Sequence, residues 1–175
     1  MEVYTTLEKR EYSFSAERDF IQLIVISFLA FAIPFVFPHP QILTGIVVNA
    51  LLVFAALGMR GNSVLPVILL PSIGAVANGL LFGPLTLFLV YLIPFIWIGN
   101  FLLVYGIKHF AEMGFWKAGA VSAFLKAGVI FLPAYLLFVA GVLPEALLIP
   151  MGGLQIATAL GGIALIGVGK RMIKN

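Results

Sequence analysis

Basic residues fall at regular stations along this chain, and long apolar runs separate the stations. Of its ten Lys and Arg residues, nine sit in four places: the N-terminal tail, the turn at Arg60, the stretch from Lys108 to Lys117, and the C-terminal tail. The alternate turns, around His39, Gly83 and Glu145, carry none. Lys and Arg collect in the cytoplasmic loops of membrane proteins. The alternation therefore predicts six membrane crossings with both termini in the cytoplasm.

Hydrophobic residues make up 62% of the chain and charged residues 10%, against roughly 45–50% and about 25% in soluble domains. A water-soluble fold of 175 residues has no interior large enough for that much apolar surface. The expectation is one integral domain of the cell membrane, with little chain left over for a soluble catalytic unit. The net charge of +3 comes from residues at segment ends, where they meet anionic lipid headgroups rather than nucleic acid. With no Cys in the sequence, disulfides, iron–sulfur clusters and thiolate metal sites are excluded. Ala30-Phe31-Ala32 mimics a signal-peptidase site. The tail before it mixes Glu8, Lys9, Arg10, Glu11, Glu17, Arg18 and Asp19, unlike the short basic start of a signal peptide.

The apolar runs are continuous, without two-residue alternation, which predicts an all-α bundle rather than a β-barrel. Residues 1–19 read as a polar tail, 20–170 as a six-helix transmembrane domain and 171–175 as a second short tail. The expected segments are Phe20–Phe37, Gln41–Met59, Val64 to Gly83-Pro84, Leu85–Ile107, Ala118–Val142 and Leu147–Val168. Each approaches the roughly 20 residues that a helix needs to cross the hydrocarbon core. The turns are short, so consecutive helices are expected to pack as antiparallel neighbours. Trp97 lies within its segment and reads as packing; Trp116 lies at a segment end and reads as an interfacial anchor.

Polar groups in such segments must find partners, so they carry most of the information. Asn49, Asn78 and Asn100 lie in the second, third and fourth segments, each with an amide that both donates and accepts. Gln41 and Thr44 stand near the start of the second segment, and Gln155 and Thr158, three apart, share a face of the sixth. Gln41, Thr44, Asn49, Asn78, Asn100 and Gln155 form the candidate ligand set; interhelical glue, worth roughly 0.6 kcal/mol per contact on average, is the other role open to them.

Lys126 is the one charged residue well inside a predicted helix, a position that costs roughly 2.5–3.5 kcal/mol on insertion scales. It either snorkels to the inner face, contacts an anion, or docks a partner subunit. No membrane-embedded Asp or Glu is available to pair with it, which also argues against proton-coupled transport. Small residues cluster at Gly74–Gly79, Ala118–Ala127 and Gly152–Gly162. Pairs such as Ala123/Ala127 have the four-residue spacing that lets helix backbones approach, within the bundle or against a partner helix. No P-loop, no catalytic triad and no plausible metal site is present, and His39 and His109 fall on opposite sides of the membrane. Neither an enzyme nor a cofactor is implied, and no ring of charge suggests a channel.

Three stretches, QILTGIVVNALL (Gln41–Leu52), LPSIGAVANGLLFGP (Leu70–Pro84) and PFIWIGNFLLV (Pro94–Val104), together with size and topology, resemble the S components of energy-coupling factor (ECF) transporters. The resemblance covers residues 38–107 best. It implies a six-helix subunit that binds a small micronutrient in its outer half, partnered by a transmembrane coupling subunit and two ATPases. Gln41, Thr44 and Asn49 match the first motif, Asn78 the second and Asn100 the third. S components often carry A-x-x-x-A on the first helix; here that helix has Ala30 and Ala32, and the spacing appears at Ala123/Ala127. The chain starts Met-Glu-Val, not Met-His, which disfavours the cobalt or nickel branch. The alternative from another class is a structural or assembly subunit of a larger redox or hydrogenase-type membrane complex.

Overall fold

Proline, glycine and short turns cut the apolar sequence into helices at the points where the backbone ladder fails. The computed structural model describes the backbone of residues 2–59, 61–82 and 88–174, and the side chains of residues 17–59, 61, 63–79 and 88–172. Every regular element among the described residues is helical: α1 (Glu2–Val36), α2 (Gln41–Gly58), α3 (Leu65–Phe82), α4 (Leu89–His109), α5 (Phe115–Val139), α6 (Leu148–Met151) and α7 (Gly153–Lys174). Short 3-10 turns at Gly61–Val64, Ala111–Met113 and Glu145–Leu147 link several of them. Arg60 and the turn at Gly83-Pro84 lie outside the described residues.

Five spans are long and apolar enough to cross a membrane: Glu17–Val36, Gln41–Gly58, Leu89–His109, Phe115–Val139 and Glu145–Met172; the apolar part of α3, Leu65–Gly79, is shorter. The polar tail continues into the first of these as one helix. No Gly or Pro precedes Pro34 in α1, so nothing in that stretch interrupts the ladder. The sixth predicted segment is instead two helices. Gly152, at φ −108° and ψ −100°, separates α6 from α7, and a Cβ there would lie 2.8 Å from the Phe131 ring.

The helices do not all pair with their neighbours in sequence. α4 packs most extensively with α5, as short turns predict, but α1 does so with α3 and α2 with α7. Close backbone approach at small residues accounts for the difference. Gly74 of α3 meets the Phe31 carbonyl of α1, and Gly162 of α7 lies so close to α2 that a Cβ would stand 2.6 Å from the Ala50 nitrogen. A helix face without side chains offers a neighbour more backbone contact than a short loop can enforce. Two buried apolar clusters fill the bundle, one around Leu52, Val53, Ile68 and Leu103, the other around Leu92, Ile130, Ala134 and Met151.

The outside of the bundle carries large apolar side chains, among them Phe28, Leu43, Phe124, Leu132, Val139 and Leu165. So much exposed apolar surface is foreign to a water-soluble monomer and is compatible with a multi-pass membrane protein. At one end the described basic residues find helix ends and rings. Lys108 Nζ donates to the Met59 carbonyl at 2.9 Å, a carbonyl at the end of α2 that no helical N–H reaches. Lys170 lies over the Phe115 ring at 5.2 Å and Arg171 over Trp116 at 5.6 Å, cation–π contacts that fix Trp116 at this end.

If backbone approach holds α2 against α7, Gly162→Ala overpacks the seam and destabilises the protein by about 1–3 kcal/mol. Gly128→Ala, where a Cβ meets open space, leaves the melting temperature unchanged or slightly raised. Thermal unfolding of both variants in detergent checks the pair.

Candidate functional site

Prolines and polar side chains meet at the opposite end of the bundle, around a cavity of about 960 Å³. That volume is at the upper end of the range for small-molecule pockets, roughly 300–1,000 Å³. Its mouth is formed near Pro38, His39 and Gln41 at the α1–α2 turn and near Ala146 and Pro150 at the start of α6. From Gln41 the wall descends α2 to Asn49, a drop of about 12 Å at the helical rise per residue. All six residues of the candidate ligand set, Gln41, Thr44, Asn49, Asn78, Asn100 and Gln155, line this one space, and Lys126 joins them. Apolar side chains such as Val48, Ile96, Met151 and Leu154 supply the remaining wall.

The floor is a hydrogen-bonded chain across three helices. Asn49 Nδ2 donates to the Gly45 carbonyl at 2.8 Å and to Thr158 Oγ1 of α7 at 3.2 Å. Thr158 Oγ1 in turn donates to the Leu154 carbonyl at 2.8 Å. With its N–H groups committed, the Asn49 amide presents Oδ1 to α5, where Lys126 Nζ donates to it at 2.5 Å. The partners on both sides fix the amide's orientation: reversed, it would set N–H against an ammonium and oxygen against a carbonyl. Lys126 does not snorkel. It is 3% exposed, and its amine reaches α2 across the bundle interior. Ala123 and Ala127, considered with Lys126 for docking a partner, are likewise buried inside the bundle.

The other two asparagines bond backbone carbonyls of neighbouring helices. Asn78 Nδ2 donates to the Phe35 carbonyl at 2.7 Å, one of the last carbonyls of α1 and therefore short of a helical donor. Asn100 Nδ2 donates to the Ile68 carbonyl at 2.9 Å, in the turn of α3 before Pro71. Proline lacks an N–H and disturbs the turn before it, and α4 reaches that turn a second time: Trp97 Nε1 donates to the Leu69 carbonyl at 3.1 Å and to Ser72 Oγ at 2.8 Å. Trp97 is thus a packing residue, as expected. The amide oxygens of Asn78 and Asn100 have no hydrogen-bond partner among the described residues.

Nearer the mouth, Thr44 Oγ1 bonds the Phe37 carbonyl, tying α2 to the end of α1. Gln155 Nε2 donates to the Pro150 carbonyl at 3.2 Å and so braces the junction of α6 and α7. Ser72, Thr158, Pro34 and Pro71 are among the lining residues that sequence reasoning left out of the ligand set. The prolines were the available signal. Pro34 and Pro71 mark the stretches of α1 and α3 that border the cavity, and polar side chains bond carbonyls beside them, at Phe35, Ile68 and Leu69.

The geometry therefore offers a water-sized-to-metabolite-sized space with amides on several sides and one amine at depth, and it gives those groups a structural duty as well. Replacing Asn49 by Leu removes the acceptor from Lys126 and destabilises the protein by about 1.5–3 kcal/mol, the worth of a hydrogen bond to a charged group. The double variant Asn49→Leu/Lys126→Met recovers most of that loss, because no buried amine is left unpaired; a double-mutant cycle by thermal or denaturant unfolding measures it. Set beside known proteins, the chain matches no protein-family model, no curated protein and no solved structure, and the reading of this cavity rests on its own residues.

Proposed function

We propose that the chain is a substrate-binding membrane subunit, similar to the S components of ECF transporters, that captures a small micronutrient. The single observation that carries this reading is the convergence of Gln41, Thr44, Asn49, Asn78, Asn100 and Gln155 on one cavity. Helices held together by scattered polar contacts have no need of a common space between those contacts. In this reading the chain crosses the cell membrane six times, with both termini in the cytoplasm and α3 as the short crossing. The cavity mouth then faces outward, because it lies at the end of the bundle away from Lys108, Lys117, Lys170 and Arg171. Release inward is the work of a transmembrane coupling subunit and two ATPases, since the chain has no P-loop of its own.

The rival reading, a structural or assembly subunit of a redox or hydrogenase-type complex, is favoured by the bonds of Asn49, Asn78 and Asn100 to backbone carbonyls or side chains of neighbouring helices. One experiment separates the two. The tagged protein is purified from its native membrane and its companions are identified by mass spectrometry, small molecules included. The binding-subunit reading expects a coupling subunit, two ATPases and a bound small molecule. A stoichiometric redox complex with an empty cavity sinks it. Topology is checked separately with single-cysteine variants, which need no prior engineering in a chain that has no Cys: Cys at positions 39 and 145 should react from outside intact cells, and Cys at 113 and 172 only after lysis.

A further inference from the structure

The cavity holds a buried amine with no acid to balance its charge when it is protonated. No Asp or Glu stands among its lining residues; past α1 the acidic residues are Glu112 and Glu145, both in turns and both exposed. Lys126, 97% withdrawn from the surface by its 3% exposure, has three N–H donors. Among the described residues Asn49 Oδ1 is its one acceptor, and a neutral amide oxygen offers no counter-charge. An amine so buried, so rigidly placed and so poorly compensated is costly in an apolar bundle. A ligand that brings the missing negative charge removes that cost on binding, which makes the amine a recognition element as well as a structural one.

We propose that the cavity takes a small amphipathic monocarboxylate, with its carboxylate on Lys126 Nζ and its apolar body against Val48, Ile96, Met151 and Leu154. The carboxylate is favoured over a phosphate by charge count. One amine balances one negative charge, whereas a phosphate dianion would leave a second charge unpaired in an apolar site. The asparagine floor supports the same assignment. Asn49 holds the amine by its oxygen and turns its own N–H groups away, toward Gly45 and Thr158, so Asn49 leaves a ligand no donor of its own and Lys126 is the one Lys or Arg among the described lining residues. The oxygens of Asn78 and Asn100, without a hydrogen-bond partner among the described residues, are acceptors suited to N–H or O–H groups on the ligand. This assignment rests on the binding-subunit reading and names the chemical class of its cargo.

The test titrates the purified protein, by calorimetry in detergent, with octanoate, phenylacetate, nicotinate and lipoate, each beside its methyl ester. It also identifies by mass spectrometry any small molecule released when the protein from native membranes is denatured. The expected result is a released or titrated carboxylate whose ester binds at least tenfold more weakly. Lys126→Met should lose a similar factor for the acid and leave the ester's affinity unchanged, and Lys126→Arg, which keeps the charge, should retain most of the acid's affinity. If the occupant is neutral or cationic, or if Lys126→Met binds the acid as well as the native protein does, the carboxylate assignment is overturned while the binding-subunit reading stands. If only a membrane fatty acid is released, the role of Lys126 stands and the nutrient reading falls. If nothing is released and no acid or ester binds, both fall together.

Discussion

One buried amine organises this molecule. Lys126 sits near the middle of α5, and an amine at that depth has to be met by an acceptor or the helix does not settle there. The acceptor is Asn49 of α2, whose amide is itself held by Thr158 of α7. Three helices are thereby tied at one level. Remove the lysine and Asn49 loses the partner that orients it; remove Asn49 and the amine is left without an acceptor. Because the chain of donors ends on the Leu154 carbonyl, it is complete on the protein side at every position except the lysine's remaining donors. Where structure leaves a group half-satisfied, a ligand has something to recognise.

Around that level, the packing leaves room on one side and none on the other. Toward the basic end, glycine and alanine faces bring α2 and α7 together until Gly162 touches the α2 backbone, and the larger apolar cluster closes the interior. Toward the other end, Pro34, Pro71 and Pro150 stand within α1, α3 and α6, and all three line the cavity. Polar side chains from a neighbouring helix bond the Phe35, Ile68 and Leu69 carbonyls close to the first two prolines. The same bonds from side chain to backbone that tie neighbouring helices together also line the space with amides. Packing and polar lining are in this sense one feature of the bundle rather than two competing explanations of its asparagines.

Much of this was legible in the residues and some was not. Helical class and the apolar spans followed from continuous runs without period-two alternation. Polarity within apolar segments singles out the candidate ligand set residue by residue, and its members share one cavity. Helix pairing was not legible: short turns pointed to neighbours in sequence, while Gly74 and Gly162 select α1 with α3 and α2 with α7. Small-residue clusters announce a close approach without naming the partner helix. The break at Gly152 was hidden because Gly-Gly pairs occur inside membrane helices too. For Lys126 the sequence leaves snorkelling, an anion contact and partner docking open; only the position of Asn49 on a distant segment decides which way the amine turns.

A binding subunit of this kind requires the cavity to be an aqueous opening on the outer face of the membrane. The chain's lack of cysteine permits a direct measurement: Gln155→Cys on the cavity wall and Leu132→Cys on the apolar exterior, each treated in intact cells with a membrane-impermeant maleimide. The prediction is rapid labelling at position 155 and none at 132. Labelling of 155 only after lysis, or its failure to label while His39→Cys at the mouth reacts, would contradict an outward-opening cavity and leave the polar residues as packing alone.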